Sequence, residues 1–182
     1  MRNRIRLQFA AALLTLFCTQ SLSAVPRVVA SLPPIHFLVS TLMQGVGKPT
    51  LLFQQEIDST NEMDPFQKSQ LLTADLVIWV GAGLESSIAG MLQQFPVVKN
   101  RFRTLSQTVP LLPRKEFNGV QPSRQISRDL HFWSVPRIAM MVVKQLTPLL
   151  VRIDPDHAKR YLDNEILLLK RIKKPSVKFR PC

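Results

Sequence analysis

Side chains able to hold a metal or carry acid–base chemistry are sparse in this 182-residue chain, which has three histidines, two cysteines and 12 acidic residues. His131 stands out by its setting, Asp129-Leu130-His131-Phe132-Trp133-Ser134-Val135-Pro136. It presents an imidazole just before a Ser-x-Pro helix start and just after a long proline-rich stretch, a place where side chains can converge on a cleft. Imidazole suits a borderline cation such as zinc, which it binds through a neutral ring nitrogen. His36 sits between Ile35 and Phe37 at the start of an amphipathic helix, where partly buried packing is expected. His157 follows Asp154 and Asp156 in the first turn after a cap and is expected to be an exposed helix residue. The acidic loop from Glu56 to Pro65 offers carboxylates that could ligate a metal, although a solvated loop leading into the Pro65 helix is the simpler reading.

Other chemistries find little support. The chain has no nucleophile elbow, phosphate loop or dinucleotide fingerprint. Gly81-Ala82-Gly83 follows a strand and opens a helix, the right context for phosphate, but it lacks a third glycine. Leu84-Glu85 then puts an acid where an anion would sit, so a tight turn is expected. None of the three histidines lies near a Ser or Cys in a nucleophile-and-base pattern. The chain is therefore expected not to be an enzyme.

The elements that must position His131 follow from apolar periodicity. Val28-Val29-Ala30-Ser31-Leu32 reads as a buried parallel strand. Ile35, Leu38, Val39, Leu42 and Met43 repeat at helical spacing, and Gly45-Val46-Gly47 closes that helix. Thr50 to Phe53 reads as a second strand, and Pro65 opens a short helix through Leu72. Ala74 to Val80 is the clearest strand, and the helix after it carries Leu84, Ile88, Met91 and Leu92. Thr104-Leu105 is a weak fourth strand, and Val109 to Arg128 reads as a long irregular surface loop. Ser134 is expected to cap a helix with Pro136 in its first turn, and Pro148 to end or kink it. Asp154-Pro155 starts a last helix by the same device, with Ala158, Tyr161, Leu162, Leu169 and Ile172 as its apolar stripe. Strand and helix alternate, which predicts an α/β fold with a doubly wound, mostly parallel open sheet. In such sheets ligands sit beyond the carboxyl ends of the strands.

The ends of the chain account for most of its charge. Arg2, Arg4 and Arg6 precede an apolar run from Leu7 to Phe17 and small residues up to Ala24. Residues 1–24 thus read as a Sec-type signal peptide, the run being well short of the ~20 residues that span a bilayer. Only Cys182 follows that leader, so no internal disulfide is expected. The formal charge is +12, of which the leader holds three and residues 170–180 hold six without an acid. Basic residues crowded at the termini, rather than interleaved with aromatics over a folded face, speak against nucleic acid as a partner. The expected location is the periplasm, with no stable membrane insertion once the leader is removed.

The order of these segments resembles the N-terminal part of the periplasmic zinc/manganese-binding proteins of ABC importers, the high-affinity zinc-uptake type in particular. The stretches that carry the likeness are Val28 to His36, Gly45 to Leu52, Ala74 to Glu85, and Asp129-Leu130-His131-Phe132-Trp133; together they cover roughly residues 26–173. Members of that family have two α/β lobes joined by one long rigid helix, with the metal between the lobes. The resemblance implies that residues 25–153 are the N-terminal lobe and 154–174 the start of the inter-lobe helix. Residues 175–182 would then be an irregular basic tail, resembling readthrough in a shifted frame, with the second lobe absent.

The same likeness implies a ligand set. His131 matches the family's second metal-binding histidine. The first lies six residues before the proline matching Pro65, a position held here by Ser59, with Asp58 preceding it. Asp58 and His131 are the implied metal residues; the third histidine and the carboxylate belong to the other lobe. The transported ligand would be Zn(2+), with Mn(2+) as the alternative, and an imidazole ligand leans towards zinc. The partner would be an ABC permease in the inner membrane. The expected function is the periplasmic solute-binding component of a zinc (or zinc/manganese) ABC uptake system, truncated and with a depleted metal site. The alternative is a decayed single-lobe relative acting as a periplasmic interaction or adhesin-like module without metal delivery. Two ligands fall short of the three that an open zinc site needs, so tight binding by this chain alone is not expected.

Overall fold

The structure, a computed structural model, describes residues 24–55, 62–117 and 122–174. Most of the expected leader, the basic tail, and both Asp58 and Ser59 lie outside the described residues. Four short parallel strands form the central sheet: β1 (Val28–Ala30), β2 (Thr50–Leu51), β3 (Leu76–Trp79) and β4 (Phe102–Thr104), in the order β2-β1-β3-β4. The register pairs Val29 with Thr50 and Val77, and Ile78 with Arg103. Hydrogen bonding outruns the formal strands, since Leu52 and Phe53 donate to Ala30 and Ser31, and Ser31 donates to Ile78. Every residue of β1 and β3 is buried. Their continuous Val/Ile/Leu runs match strands covered on both faces.

Among the described residues, five α-helices flank the sheet: α1 (Pro33–Leu42), α2 (Pro65–Thr73), α3 (Ser86–Gln94), α4 (Pro136–Ile153) and α5 (Ala158–Lys173). The sheet grows first from β1 to β2 and then back past β1 to β3 and β4. Right-handed crossovers therefore put α1 on the face opposite α2 and α3. Helices α4 and α5 pack on each other and on α1, completing that layer. The reversal between β1 and β3 makes their carboxyl ends the topological switch point, the crevice where open α/β sheets bind ligands.

The α2 start shows local sequence logic at work. Asp64 accepts from the Gln67 amide at 2.7 Å, and Gln67 returns the bond to the Asp64 amide at 3.0 Å, with Pro65 next to the cap. This reciprocal pairing satisfies amides that a helix start leaves without partners. The end of α1 is closed from a distance instead. The Asn164 side-chain amide on α5 donates to the carbonyls of Leu42 at 2.8 Å and Gln44 at 2.9 Å. Gly45 follows at φ +80, the left-handed conformation that glycine adopts without cost.

Several sequence expectations are corrected. Residues in the stretch expected to be an irregular loop form an antiparallel hairpin, β5 (Pro113–Phe117) with β6 (Pro122–Arg128). Its prolines stand at strand starts, where a missing amide donor costs no ladder bond. Ser134 does not cap α4: it belongs to a 3-10 turn over Phe132–Ser134, and Val135 is the N-cap with no side-chain bond. Pro148 neither ends nor breaks α4, which runs on to Ile153. Eight buried residues of that helix, from Ile138 to Leu150, outweigh the ~3 kcal/mol proline penalty. The stripe of α5 also differs from expectation, since Tyr161, Asn164 and Leu168 are buried while Leu162 is 48% exposed.

Asp154 is the fifth correction. It caps nothing through its side chain; a 3-10 turn over Pro155–His157 precedes α5. Its buried carboxylate instead accepts the Tyr161 hydroxyl at 2.7 Å and lies 2.9 Å from Nδ1 of His157. His157 is accordingly half-buried and tied down, not a loose surface residue. Burial, and then the Asp154 carboxylate, push the Tyr161 phenol well above its ordinary range.

Two measurements follow from these contacts. Asn164→Leu fills the same space but strands two carbonyls at the α1 end, so urea denaturation is expected to show a loss of about 1–3 kcal/mol. Tyr161 is the chain's single tyrosine. Its raised folded-state pKa means stability that is fully present below the unfolded value near 10 and falls as pH rises above it. Phenolate absorbance at high pH is therefore expected to appear together with loss of helical circular dichroism, because burial and then Asp154 hold the phenol protonated while the chain is folded.

Candidate metal centre

The carboxyl end of β3 is built around a buried acid. Glu85, fully buried, accepts the backbone amides of Val80 at 2.7 Å and Gly81 at 2.8 Å through Oε2. The carboxylate thus occupies the place an anionic ligand would need, and the expected tight turn is what forms. Gly81 sits at φ +143, and a Cβ there would come within 2.5 Å of the Ser106 hydroxyl. The chain passes this turn closely as well: a Cβ on Gly83 would lie 3.0 Å from Leu130. Residues 129–131 are thereby held against the turn that follows β3, beside the switch point.

His131 is fixed there by its neighbour two residues back. Oδ1 of Asp129 accepts the His131 backbone amide at 2.9 Å and lies 3.1 Å from the ring Nδ1. A carboxylate at that distance selects the tautomer with the proton on Nδ1, which makes Nε2 the ring nitrogen that offers a lone pair. The His131 ring is about one-third exposed and meets Trp133 edge-on, with centroids 5.3 Å apart. Trp133 in turn touches Phe132, which is buried. The Asp-x-His spacing was present in the sequence motif, but its orienting geometry needed the turn at Leu130. Trp133 also lines an open groove of about 790 Å³ with Phe37, Met140 and Ile172, whose rim carries Arg171 and Lys173.

The other histidines are engaged elsewhere. Nε2 of His36 lies 3.1 Å from the Pro49 carbonyl, and Ser40 approaches the same ring, consistent with the packing role expected of it. Among the described residues, no three His, Cys, Asp or Glu side chains gather as a metal-holding group. The loop that holds Asp58 leaves the carboxyl end of β2 and returns at Asp64, where the Gln67 side chain donates to the Leu52 carbonyl at 3.2 Å. Both ends of that loop are thus on the ligand side of the sheet, as is His131.

Comparison with known proteins settles the lineage. The family described as zinc-uptake complex component A, periplasmic (ZnuA), matches residues 28–180. The chain belongs to this family. The high-affinity zinc uptake system protein ZnuA of Brucella abortus is 35% identical over 88 residues, 47% of this chain and 26% of that protein. The Paracoccus denitrificans ZnuA is 39% identical over 61 residues, 33% of this chain and 19% of its own length. These matched stretches thus span about a quarter or less of the curated relatives.

Solved structures share the fold. The Fe(III)-bound YtgA of Chlamydia trachomatis superposes with TM-score 0.66 at 20% identity over 82% of this chain and 50% of its own. The Mn2+ complex of FpvC from Pseudomonas aeruginosa gives 0.67 at 19% identity, over 82% and 54%. The Zn(II)-bound AdcA of Streptococcus pneumoniae gives 0.65 at 15%, over 82% and 31%. The ZnuA relatives are metal-uptake proteins by name and the structural neighbours were solved with bound metals. The expectation of a single α/β lobe followed by a long helix is met, with α5 as that helix.

Replacing Asp129 by Ala is expected to leave the fold intact and release the ring. Long-range 1H–15N spectra should then show His131 shifting from a predominantly Nδ1-protonated form towards the Nε2-protonated one.

Proposed function

We propose that this chain is the N-terminal, metal-facing lobe of a periplasmic zinc-binding protein that serves an ABC uptake system. The observation that carries this reading is His131, held at the carboxyl end of the sheet with its Nδ1 against Asp129, within a chain whose residues 28–180 match the ZnuA family. Zinc is the cargo, and His131 supplies Nε2 to it. Asp129 holds the imidazole in one tautomer and in one orientation, the arrangement in which a carboxylate behind the ring raises ligand basicity. Asp58 is the second donor, from the loop beyond β2, with Ser59 beside it where relatives place a histidine. Manganese is the alternative cargo, disfavoured because a harder ion prefers oxygen donors.

In this reading residues 1–24 are a leader that directs export, 25–153 are the lobe, 154–174 begin the linking helix and 175–182 are a basic tail. The permease in the inner membrane receives the metal, and no bond is made or broken in the cargo, so the chain is not an enzyme. Among the described residues no helix is long and apolar enough to cross a membrane. Two protein donors fall below the three that an open zinc site uses, so binding by this chain alone is weak. That shortage is also what supports the second reading, a single-lobe relative that works as a periplasmic interaction or adhesin-like module without delivering metal.

Zinc titration of the leader-free protein, followed by competition with a chromophoric chelator, separates the two. His131→Ala is expected to weaken zinc binding by about a factor of 10 to 100 or more, and Asp129→Ala by a smaller factor in the same direction. Equal zinc binding by the wild type and His131→Ala, or none by either, would overturn the metal reading.

A further inference from the structure

The edge strand of the sheet, β4, carries a second feature that shares no residue with the His131 site. Arg103, in the middle of β4, is half-buried, and among the described residues no hydrogen bond or ion pair reaches its guanidinium. It lines a shallow cavity of about 380 Å³ together with Thr108, Lys144, Gln145, Pro148 and Leu149. Two of the six lining side chains are cations and none is an acid. Lys144 is exposed and also has no partner among the described residues.

Two further lining residues are held by hydrogen bonds. The Gln145 side-chain amide donates to the Thr108 carbonyl at 2.7 Å, and the Thr108 hydroxyl donates to the Leu105 carbonyl at 3.0 Å. These bonds tie the turn after β4 to the middle of α4, so the dish is preformed. Elsewhere in the lobe a comparable guanidinium is partnered: Arg101 donates to the carbonyls of Ala74 and Leu72 at 2.7 and 3.0 Å. Arg103 has lost part of its hydration without such compensation. A planar guanidinium left with unused donors is best satisfied by a carboxylate or phosphate, which accepts two of its N–H groups at once.

We infer that this dish is a binding site for a small organic oxyanion, a phosphate or carboxylate group carried on an apolar body. Arg103 takes the oxyanion through paired N–H donors and Lys144 adds a second, mobile positive charge. Pro148 and Leu149 provide apolar surface for the body of the ligand. The site shares no residue with the His131 region, so it neither needs nor alters the metal reading.

Calorimetric titration of the leader-free chain with phenyl phosphate, benzoate, inorganic phosphate and benzyl alcohol tests the inference. Saturable binding of phenyl phosphate or benzoate is expected with a Kd at or below about 1 mM, and none of benzyl alcohol. Arg103→Gln and Lys144→Gln are each expected to weaken it at least about threefold, the former more. Arg152→Gln removes the same charge from an exposed position on α4 outside the dish and should leave the Kd unchanged. Because Arg103 is half-buried, Lys144→Gln keeps the test valid even where Arg103→Gln fails to fold. Three results would each overturn the site: no saturable oxyanion binding, equal weakening by Arg152→Gln, or binding only to vesicles of anionic lipid.

Discussion

Strands buried on both faces leave the amides at their ends with nowhere to find water, and at the carboxyl end of β3 that demand is met by one carboxylate. Glu85 takes the Val80 and Gly81 amides within 2.8 Å, so the turn after β3 closes without a ligand. Its geometry sets what lies above it. Leu130 packs against Gly83, where an added Cβ would lie 3.0 Å from the leucine and push it back. His131 inherits its position from that contact and its orientation from Asp129. The ligand side of the lobe is thus organised by a buried acid.

The layer behind the sheet shows the same use of polar groups over long distances. Asn164 closes α1 from α5, across 122 and 120 residues of chain. Asp154 joins the 3-10 turn to α5 by accepting Tyr161, which is itself fully buried. Each bond satisfies a group that would otherwise be buried without a partner, and each sets the placement of one helix relative to another. Such bonds contribute modestly when made and cost more when broken. Their value here is in specifying where the helices sit.

Much of the architecture was legible in residues 28–107. The strands β1 and β3 announced themselves because burial on both faces demands unbroken apolar runs, and α2 because its capping box is local. The hairpin β5–β6 was not legible: its prolines and charged residues read as loop, since pairing between two strands leaves little trace in either one alone. Ser134 and Asp154 each looked like a cap, because Ser and Asp before proline favour helix starts. Both took other roles, Ser134 in a 3-10 turn closed by a local backbone bond and Asp154 as a buried acceptor for the Tyr161 hydroxyl. Pro148 was expected to end or kink α4, but the helix runs on to Ile153, because the apolar area buried on either side of it exceeds the cost of one missing backbone bond.

The sequence by itself determined the class of fold, the lineage and the candidate ligand, since apolar periodicity, ordered motifs and the rarity of histidine are all properties of short segments. His131 could be singled out from its setting alone. What only the tertiary structure decided is how that imidazole is presented. The contact of Leu130 with the turn at Gly83 and the dish that brings Arg103 beside Lys144 depend on which distant segments meet. No local pattern records those meetings, because they are settled by the packing of whole elements around the buried β1–β3 pair.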